Sequence, residues 1–318
     1  MKTIAIIGEC MIELNGKPFR EMQQTFGGDT LNAAIYLCRS QRHSASELSV
    51  KYVTAMGGEA LSQEMTARWK QEGVDTSLVL TDTKRSPGLY LIQLDVQGER
   101  TFLYWRDQSA AKYLVQHPEF AQVTSALKSA DMVFVSGISL AILPKQDRAQ
   151  MLELLTQLKE SGVEIAFDSN YRLALWPDDN HQTVQSAYRL MYQTTDLALV
   201  TFDDEQAIWG DETPLQTCER LTALGAKTVI VKLGANGCLV SEQGANEPYN
   251  VSTTVVENVV DTTSAGDSFN GGFLATYLET GDIKQACHNG NVLAGEVIQH
   301  KGAIISKAFT DAAKHRFK

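Results

Sequence analysis

The chain has 318 residues, 43 % of them hydrophobic and 21 % charged, enough for a sizeable core in one large α/β domain or two smaller ones. A formal net charge of −10 disfavours nucleic acid and membrane surfaces as partners, because both select basic faces. The five cysteines form no C-x-x-C and the six histidines no H-E-x-x-H, so a disulfide frame and a zinc site are set aside and reduced thiols in a cytoplasmic protein are expected.

Residues 3–8 (TIAIIG) are apolar on both faces, the mark of a buried parallel strand. Glu9 and Glu13 interrupt the run, so neither a signal peptide nor a membrane span follows. Residues 9–14 alternate polar and apolar, as a half-exposed strand leaving the core sheet would. Phe26-Gly27-Gly28-Asp29-Thr30-Leu31-Asn32 then places two glycines before an Asp/Thr cap and a helix through Arg39. A strand over 50–56 and a helix over 59–70 complete a strand–helix alternation. That rhythm predicts a mostly parallel sheet covered on both faces.

Two β-like runs, 88–95 and 99–106, interrupt the rhythm, with a turn at Val96-Gln97-Gly98. Together with residues 10–26 they predict a small antiparallel flap. Such a flap needs cover, from substrate or from a second subunit. Strands follow at 131–137 and 163–168, around a helix over 144–159. The second ends in Ser169-Asn170-Tyr171-Arg172. Ligands gather at the carboxyl ends of strands in open parallel sheets. Arg172 taken alone reads equally well as a surface ion pair. Residues 196–201 form another strand, with Asp203, Asp204 and Glu205 opening a helix, where acids are ordinary. Residues 227–238 run from a strand through Gly234-Ala235-Asn236-Gly237 into another strand. No G-x-x-x-x-G-K-[ST] loop occurs, and there is no internal repeat.

The stretch of greatest chemical interest is Asp261-Thr262-Thr263-Ser264-Ala265-Gly266-Asp267-Ser268-Phe269. A β-like run at 255–260 precedes it. Apolar periodicity at Phe269, Phe273, Leu274, Tyr277 and Leu278 follows. It therefore reads as strand, small-residue turn and helix N-terminus. Free N–H groups and the helix dipole make such a terminus an anion site. An isolated acid in a first turn ordinarily serves the dipole alone. Asp267 beside a glycine-lined anion hole also supplies the base that phosphoryl transfer to an alcohol requires. A helix over 282–300 closes the core.

This string resembles the C-terminal signature of the ribokinase-like, phosphofructokinase-B-type sugar kinases, with Ser264 where glycine is usual. The Gly27–Asn32 segment resembles the same family's N-terminal signature. Residues 8–14, 87–90, 104–106, 136–138, 170–172 and 232–237 fall in family order. The resemblance implies a Rossmann-type, mostly parallel sheet flanked by helices, with an antiparallel β-lid at about 10–26 and 88–106 of a single domain over 1–318. It implies ATP and Mg2+, with room for a monovalent cation, and transfer of phosphate to the terminal hydroxyl of a keto-deoxy sugar acid. Asp267 is then the base, and the N–H groups of Ser264, Ala265, Gly266 and Asp267 line the anion hole. Gly27, Gly28, Asn32, Tyr90, Tyr104, Arg106 and Arg172 hold the sugar. Asn170, Arg172, Lys232, Gly234, Ala235, Gly237 and Asn291, with Ser264–Gly266, hold the nucleotide. The family's Asn-x-x-Glu is present only as Glu205, with Phe202 at the Asn position, and Glu205 stands for magnesium, directly or through water. Two arginines suit a carboxylate substrate. A fructokinase or another sugar kinase, and a silent sugar-acid sensor, remain alternatives. A homo-oligomer through the lid is expected.

Overall fold

The computed structural model describes residues 2–17, 19–41, 48–94 and 100–318, so the turn expected at 96–98 lies outside the described residues. The chain opens with β1 (Lys2–Ile7), β2 (Met11–Gly16), β3 (Met22–Gly27) and α1 (Asp29–Ser40). There follow β4 (Leu48–Gly57), α2 (Ala60–Gln71), β5 (Val79–Asp82), β6 (Leu89–Leu94), β7 (Arg100–Trp105) and α3 (Phe120–Leu127). The middle holds β8 (Met132–Ser136), α4 (Gly137–Ala141), α5 (Lys145–Glu160), β9 (Glu164–Asp168), α6 (Gln182–Thr194), β10 (Leu197–Thr201), α7 (Phe202–Trp209) and α8 (Pro214–Leu224). The last part is β11 (Thr228–Lys232), β12 (Cys238–Glu242), β13 (Tyr249–Val251), α9 (Ala265–Thr280), α10 (Ile283–Val297) and α11 (Lys307–Lys314).

A 9-stranded sheet runs in the order β13-β12-β11-β10-β9-β8-β1-β4-β5. From β5 to β11 every pairing is parallel, and β12 and β13 add an antiparallel edge. The two-sided apolar runs are explained by two cores. Ala5 and Ile7 of β1 face one with Val133, Val135 and Phe167. Ile4 and Ile6 face the other, with Leu31 of α1 and Phe273 of α9. The chain leaves β1 toward β4 and β5, then returns through β8 on the opposite side. That reversal is a switch point, and it opens a crevice beyond the ends of β1 and β8.

The second sheet has the order β3-β2-β6-β7. Its two hairpins are antiparallel, but they join through a parallel β2–β6 pair. The reason is topological: β2 and β6 follow β1 and β5, so both leave the same edge of the parallel sheet in the same direction. The strand expected at 255–260 does not form. The main sheet ends at β13, and Val255, Val259 and Val260 are exposed with no strand to pair with. Val260 N–H bonds instead to Ile298 O at 2.8 Å. Among the described residues, no helix is long and apolar enough to cross a membrane.

Glycines set the spacing of α1, α9 and α10. A Cβ on Gly271 would lie 2.6 Å from Tyr36 Cβ, 2.8 Å from Leu37 N and 2.9 Å from Ala33 O. One on Gly272 would lie 3.1 Å from Asn289 O. Backbone contact of this kind fixes the head of α9 over α1. Gly271→Ala should force the helices apart at a cost of about 1–3 kcal/mol, lowering Tm by about 2–4 °C per kcal/mol. Thermal unfolding tests it, and an unchanged Tm would show that α1 and α9 have room to separate.

Candidate active site

The head of α9 lies in the switch-point crevice. Ser264 adopts a left-handed φ of 65° and turns the chain into the helix. Its Oγ donates to Asp267 Oδ2 at 2.8 Å, and Asn32 Nδ2 of α1 donates to the same oxygen at 2.9 Å. Ala265 N–H does not join the expected anion hole, because the tight turn at Ser264 directs it to Thr262 O at 3.2 Å. Gly266 and Asp267 precede the first N–H bonded within the helix, that of Ser268 to Ser264 O, so their N–H groups point out of the helix end. Burial, then the charges of Asp29 and Asp168, push the Asp267 carboxyl up to about 7, against the pull of Asn32 and Ser264. A carboxylate that binds its proton near neutrality is suited to general-base work.

Behind this end lies a polar floor. Lys232, at the end of β11, pairs with Asp168 at 3.2 Å and donates to Asn270 Oδ1 at 3.3 Å. Asn270 Nδ2, one turn beyond Asp267, donates to Asp168 Oδ2 at 2.7 Å. A Cβ on Gly266 would come 3.6 Å from Lys232 Nζ, so the lysine charge stands close to the helix end. Asn170, at φ 31°, donates to Asp29 Oδ2 at 2.7 Å. Ser136 Oγ donates to the same oxygen. From the sequence Asp29 reads only as part of a helix cap and signature, Ser136 only within the 136–138 segment, and Asp168 and Asn270 take no role in the site. Their common signal is a polar residue at a strand's carboxyl end or on an apolar-periodic helix.

The lid closes the other side. Tyr90 donates to Glu13, which also accepts from Thr25 at 3.1 Å. Arg106 pairs with Glu9, itself only 2 % exposed. Tyr104 is 53 % exposed, with its ring centroid 6.0 Å from that of Tyr90. Gly27 and Gly28 are needed for closeness: a Cβ would lie 2.5 Å from Tyr90 Oη or 2.1 Å from Glu9 O. A cleft of about 740 Å³ borders Tyr104 and Arg106, with Lys84 and Arg85 on its rim. Among the described residues, the buried Asn32 Oδ1 and Arg106 Nε find no hydrogen-bond partner.

Among the described residues, the remaining expected residues make no hydrogen bond or ion pair with Asp267. Gly234 (φ 55°), Ala235 and Gly237 (φ 81°) form the turn between β11 and β12. Asn291 of α10 reaches Val251 O at 3.5 Å. Arg172 is exposed and donates to Tyr171 O at 2.7 Å. Among the described residues no contact links it to Arg106. Glu205 does not suit the metal contact expected of it. It is fully buried, with Oε1 taken by Tyr192 at 2.5 Å and Oε2 by Arg220 at 2.9 Å. Its neighbour Asp204 is half-buried, and burial followed by the charge of Asp168 pushes its carboxyl up to about 6.

Residues 1–309 match the family described as pfkB family carbohydrate kinase. The chain is 55 % identical over 307 residues to a 2-dehydro-3-deoxygluconokinase of Haemophilus influenzae, covering 96 % of each. It is 43 % identical over 310 residues to the protein of the same name from Escherichia coli, covering 96 % of this chain and 98 % of that one. The solved structure of a 2-dehydro-3-deoxygluconokinase from Thermotoga maritima superposes with a TM-score of 0.79 at 21 % identity, covering 99 % of this chain and 98 % of that one. At that identity the superposition supports the fold alone.

Ionising Asp267 costs folding free energy, because its folded-state proton affinity lies above that of a free carboxyl. The cost is largest above about pH 7 and vanishes once the unfolded chain is also protonated, near pH 4. Asp267→Asn should therefore raise Tm at pH 8, with a gain that shrinks steadily as the pH falls toward 4. The Tm difference measured from pH 4 to pH 8 tests this; a gain that does not vary with pH would mean the carboxylate carries no such cost.

Proposed function

The chain belongs to the pfkB family of carbohydrate kinases, and from that premise we propose that it phosphorylates 2-dehydro-3-deoxygluconate at the C6 hydroxyl, with ATP as donor. The observation that carries the reading is Asp267, a carboxylate of raised proton affinity at a helix end whose N–H groups face outward. Asp267 takes the C6 hydroxyl proton as that oxygen attacks the γ-phosphoryl group. Gly266 and Asp267 N–H, backed by Lys232, hold the charge growing on the phosphoryl oxygens. Asn32 fixes the base through Oδ2, which leaves the other oxygen for the proton.

Sugar recognition falls to Gly27, Gly28, Asn32, Tyr90, Tyr104 and Arg106. Arg106 holds the carboxylate, with Glu9 behind it keeping the guanidinium in place. A neutral sugar gives that guanidinium no charge to meet. The nucleotide lies along Asn170, Arg172, the 234–237 turn and Asn291. Family membership brings Mg2+ with ATP. When bound, the ion would supply charge neutralisation at the phosphates. Glu205 is too fully engaged to hold it, whereas Asp204 presents a carboxylate whose burden a divalent cation would relieve. Residues 1–318 serve as one kinase unit with the four-stranded sheet as its lid. Five free cysteines and a need for ATP support a cytoplasmic location, which cell fractionation checks.

Edge strand β7 exposes Phe102, Leu103, Tyr104 and Trp105, between 37 % and 59 % each. An exposed apolar edge strand seeks a partner, and a second copy pairing lid to lid supplies one. Sedimentation at micromolar concentration should show an oligomer; a monomer would refute the lid contact.

The decisive assay follows ATP consumption on the sugar acid and on its C1 alcohol analogue. Asp267→Asn should lose about 10²–10⁴-fold in turnover. Arg106→Ala should lose about 10- to 150-fold on the acid, the worth of a charge-assisted contact of about 1.5–3 kcal/mol, and far less on the alcohol. Equal losses on both would make Arg106 a packing residue and remove the physical support for an acid substrate.

A further inference from the structure

We infer that Asp29 is a positioning residue of the kinase reaction, whose carboxylate ties the head of α1 to Ser136 and Asn170 and whose charge, one turn before Asn32 on the same helix, acts on the proposed base Asp267. The inference rests on the reading of Asp267 as the base. Asp29 is the first residue of α1, directly after the glycine pair. One oxygen, Oδ2, receives both Ser136 Oγ from the end of β8 and Asn170 Nδ2 from beyond β9. Asp29 thus ties three elements together at the switch point. Asn170 needs such a tie, since its φ of 31° is unfavourable for a residue other than glycine.

The charged groups around Asp267 single out Asp29. Facing Asp267 are Asp29 from α1, Asp168 from the end of β9 and Lys232 from the end of β11, with the neutral Tyr36 behind. Asp168 is neutralised by Lys232 at 3.2 Å. Among the described residues no cation pairs with Asp29, whose side-chain partners Ser136 and Asn170 are neutral donors. Facing Asp29 itself are Asp168, Asp267 and the phenol of Tyr52. Burial pushes the Asp29 carboxyl up as well, against the pull of Ser136 and Asn170, so Asp29 and Asp267 compete for protons, and no cation among the described residues offsets the charge Asp29 carries when ionised. Its effect is that the base loses its proton at a higher pH and binds that proton more firmly once it has taken it from the substrate.

Asp29→Asn keeps an oxygen for Ser136 and Asn170, removes the charge and puts an amide NH2 in place of the second oxygen. The test is the pH profile of kcat/KM for the sugar acid at saturating ATP, measured beside wild type so that titration of the nucleotide cancels. The acid limb should move down by on the order of 1 pH unit. Asp29→Ala also removes the tie to Asn170 and should raise KM for ATP several-fold more than Asp29→Asn does. Ser136→Ala leaves Asp29 in place but removes a donor that favours its ionised form, so the acid limb should move the same way by less. This variant serves even where Asp29→Asn folds poorly. An acid limb at the wild-type pH in both Asp29→Asn and Ser136→Ala, or losses uniform across pH, would overturn the inference and leave Asp29 a structural cap. Turnover by Asp267→Asn above a tenth of wild type would instead overturn the reading of Asp267 on which it rests.

Discussion

The contact of α1 with α9 is the constraint from which the site follows. Asn32 and Asp267 stand 235 positions apart in sequence and 2.9 Å apart in space. They meet because Gly271 lets the backbone of α9 rest on Tyr36, Leu37 and Ala33. Tyr36 is in turn held by Ala303 O at 2.7 Å and Ile305 N at 3.1 Å, so the C-terminal segment clamps the same helix pair. Any side chain at position 271 would tilt the helix whose first turn carries the proposed base and anion hole. Precision at the reacting atoms is thus stored in the absence of a methyl group.

The second organising fact is a concentration of acid in the crevice. Asp29, Asp168, Asp204 and Asp267 share the carboxyl ends of the sheet, with Lys232 and Arg172 as nearby cations. A fold selected for stability alone would not gather these charges, because each raises the cost of ionising the next. The arrangement is tolerable because each acid accepts at least one hydrogen bond and because Lys232 is locked to Asp168 and Asn270 together. Function and stability oppose each other here, and the hydrogen bonds hold the balance.

Much of the architecture was legible because burial on both faces writes itself into single strands. The runs of β1, β8, β9, β10 and β11 are apolar regardless of what surrounds them, and alternation with helices fixes their sense. The glycine motifs were legible for the same local reason. What escaped depends on distant neighbours. Residues 255–260 have strand-like composition but fall beyond the last strand of the sheet, which no local pattern reports. Glu205 carries a family position, yet Tyr192 and Arg220 consume it, and neither is marked by spacing. Asn270 meets Asp168 across 102 positions and Asn170 meets Asp29 across 141, so these contacts appear only once the chain is folded.

The pairing of Arg106 with the buried Glu9 has a kinetic consequence. A guanidinium that carries its own counter-ion projects little field beyond contact distance. The protein as a whole is also negative, by ten charges. As the proposed carboxylate site, Arg106 does not itself draw a sugar acid in from afar, and what pull the cleft exerts on an anion falls to Lys84 and Arg85. Ionic strength, which slows electrostatically steered encounters, acts on those two cations more than on the paired Arg106. Discrimination between acid and neutral sugar is made after arrival, in how long each stays.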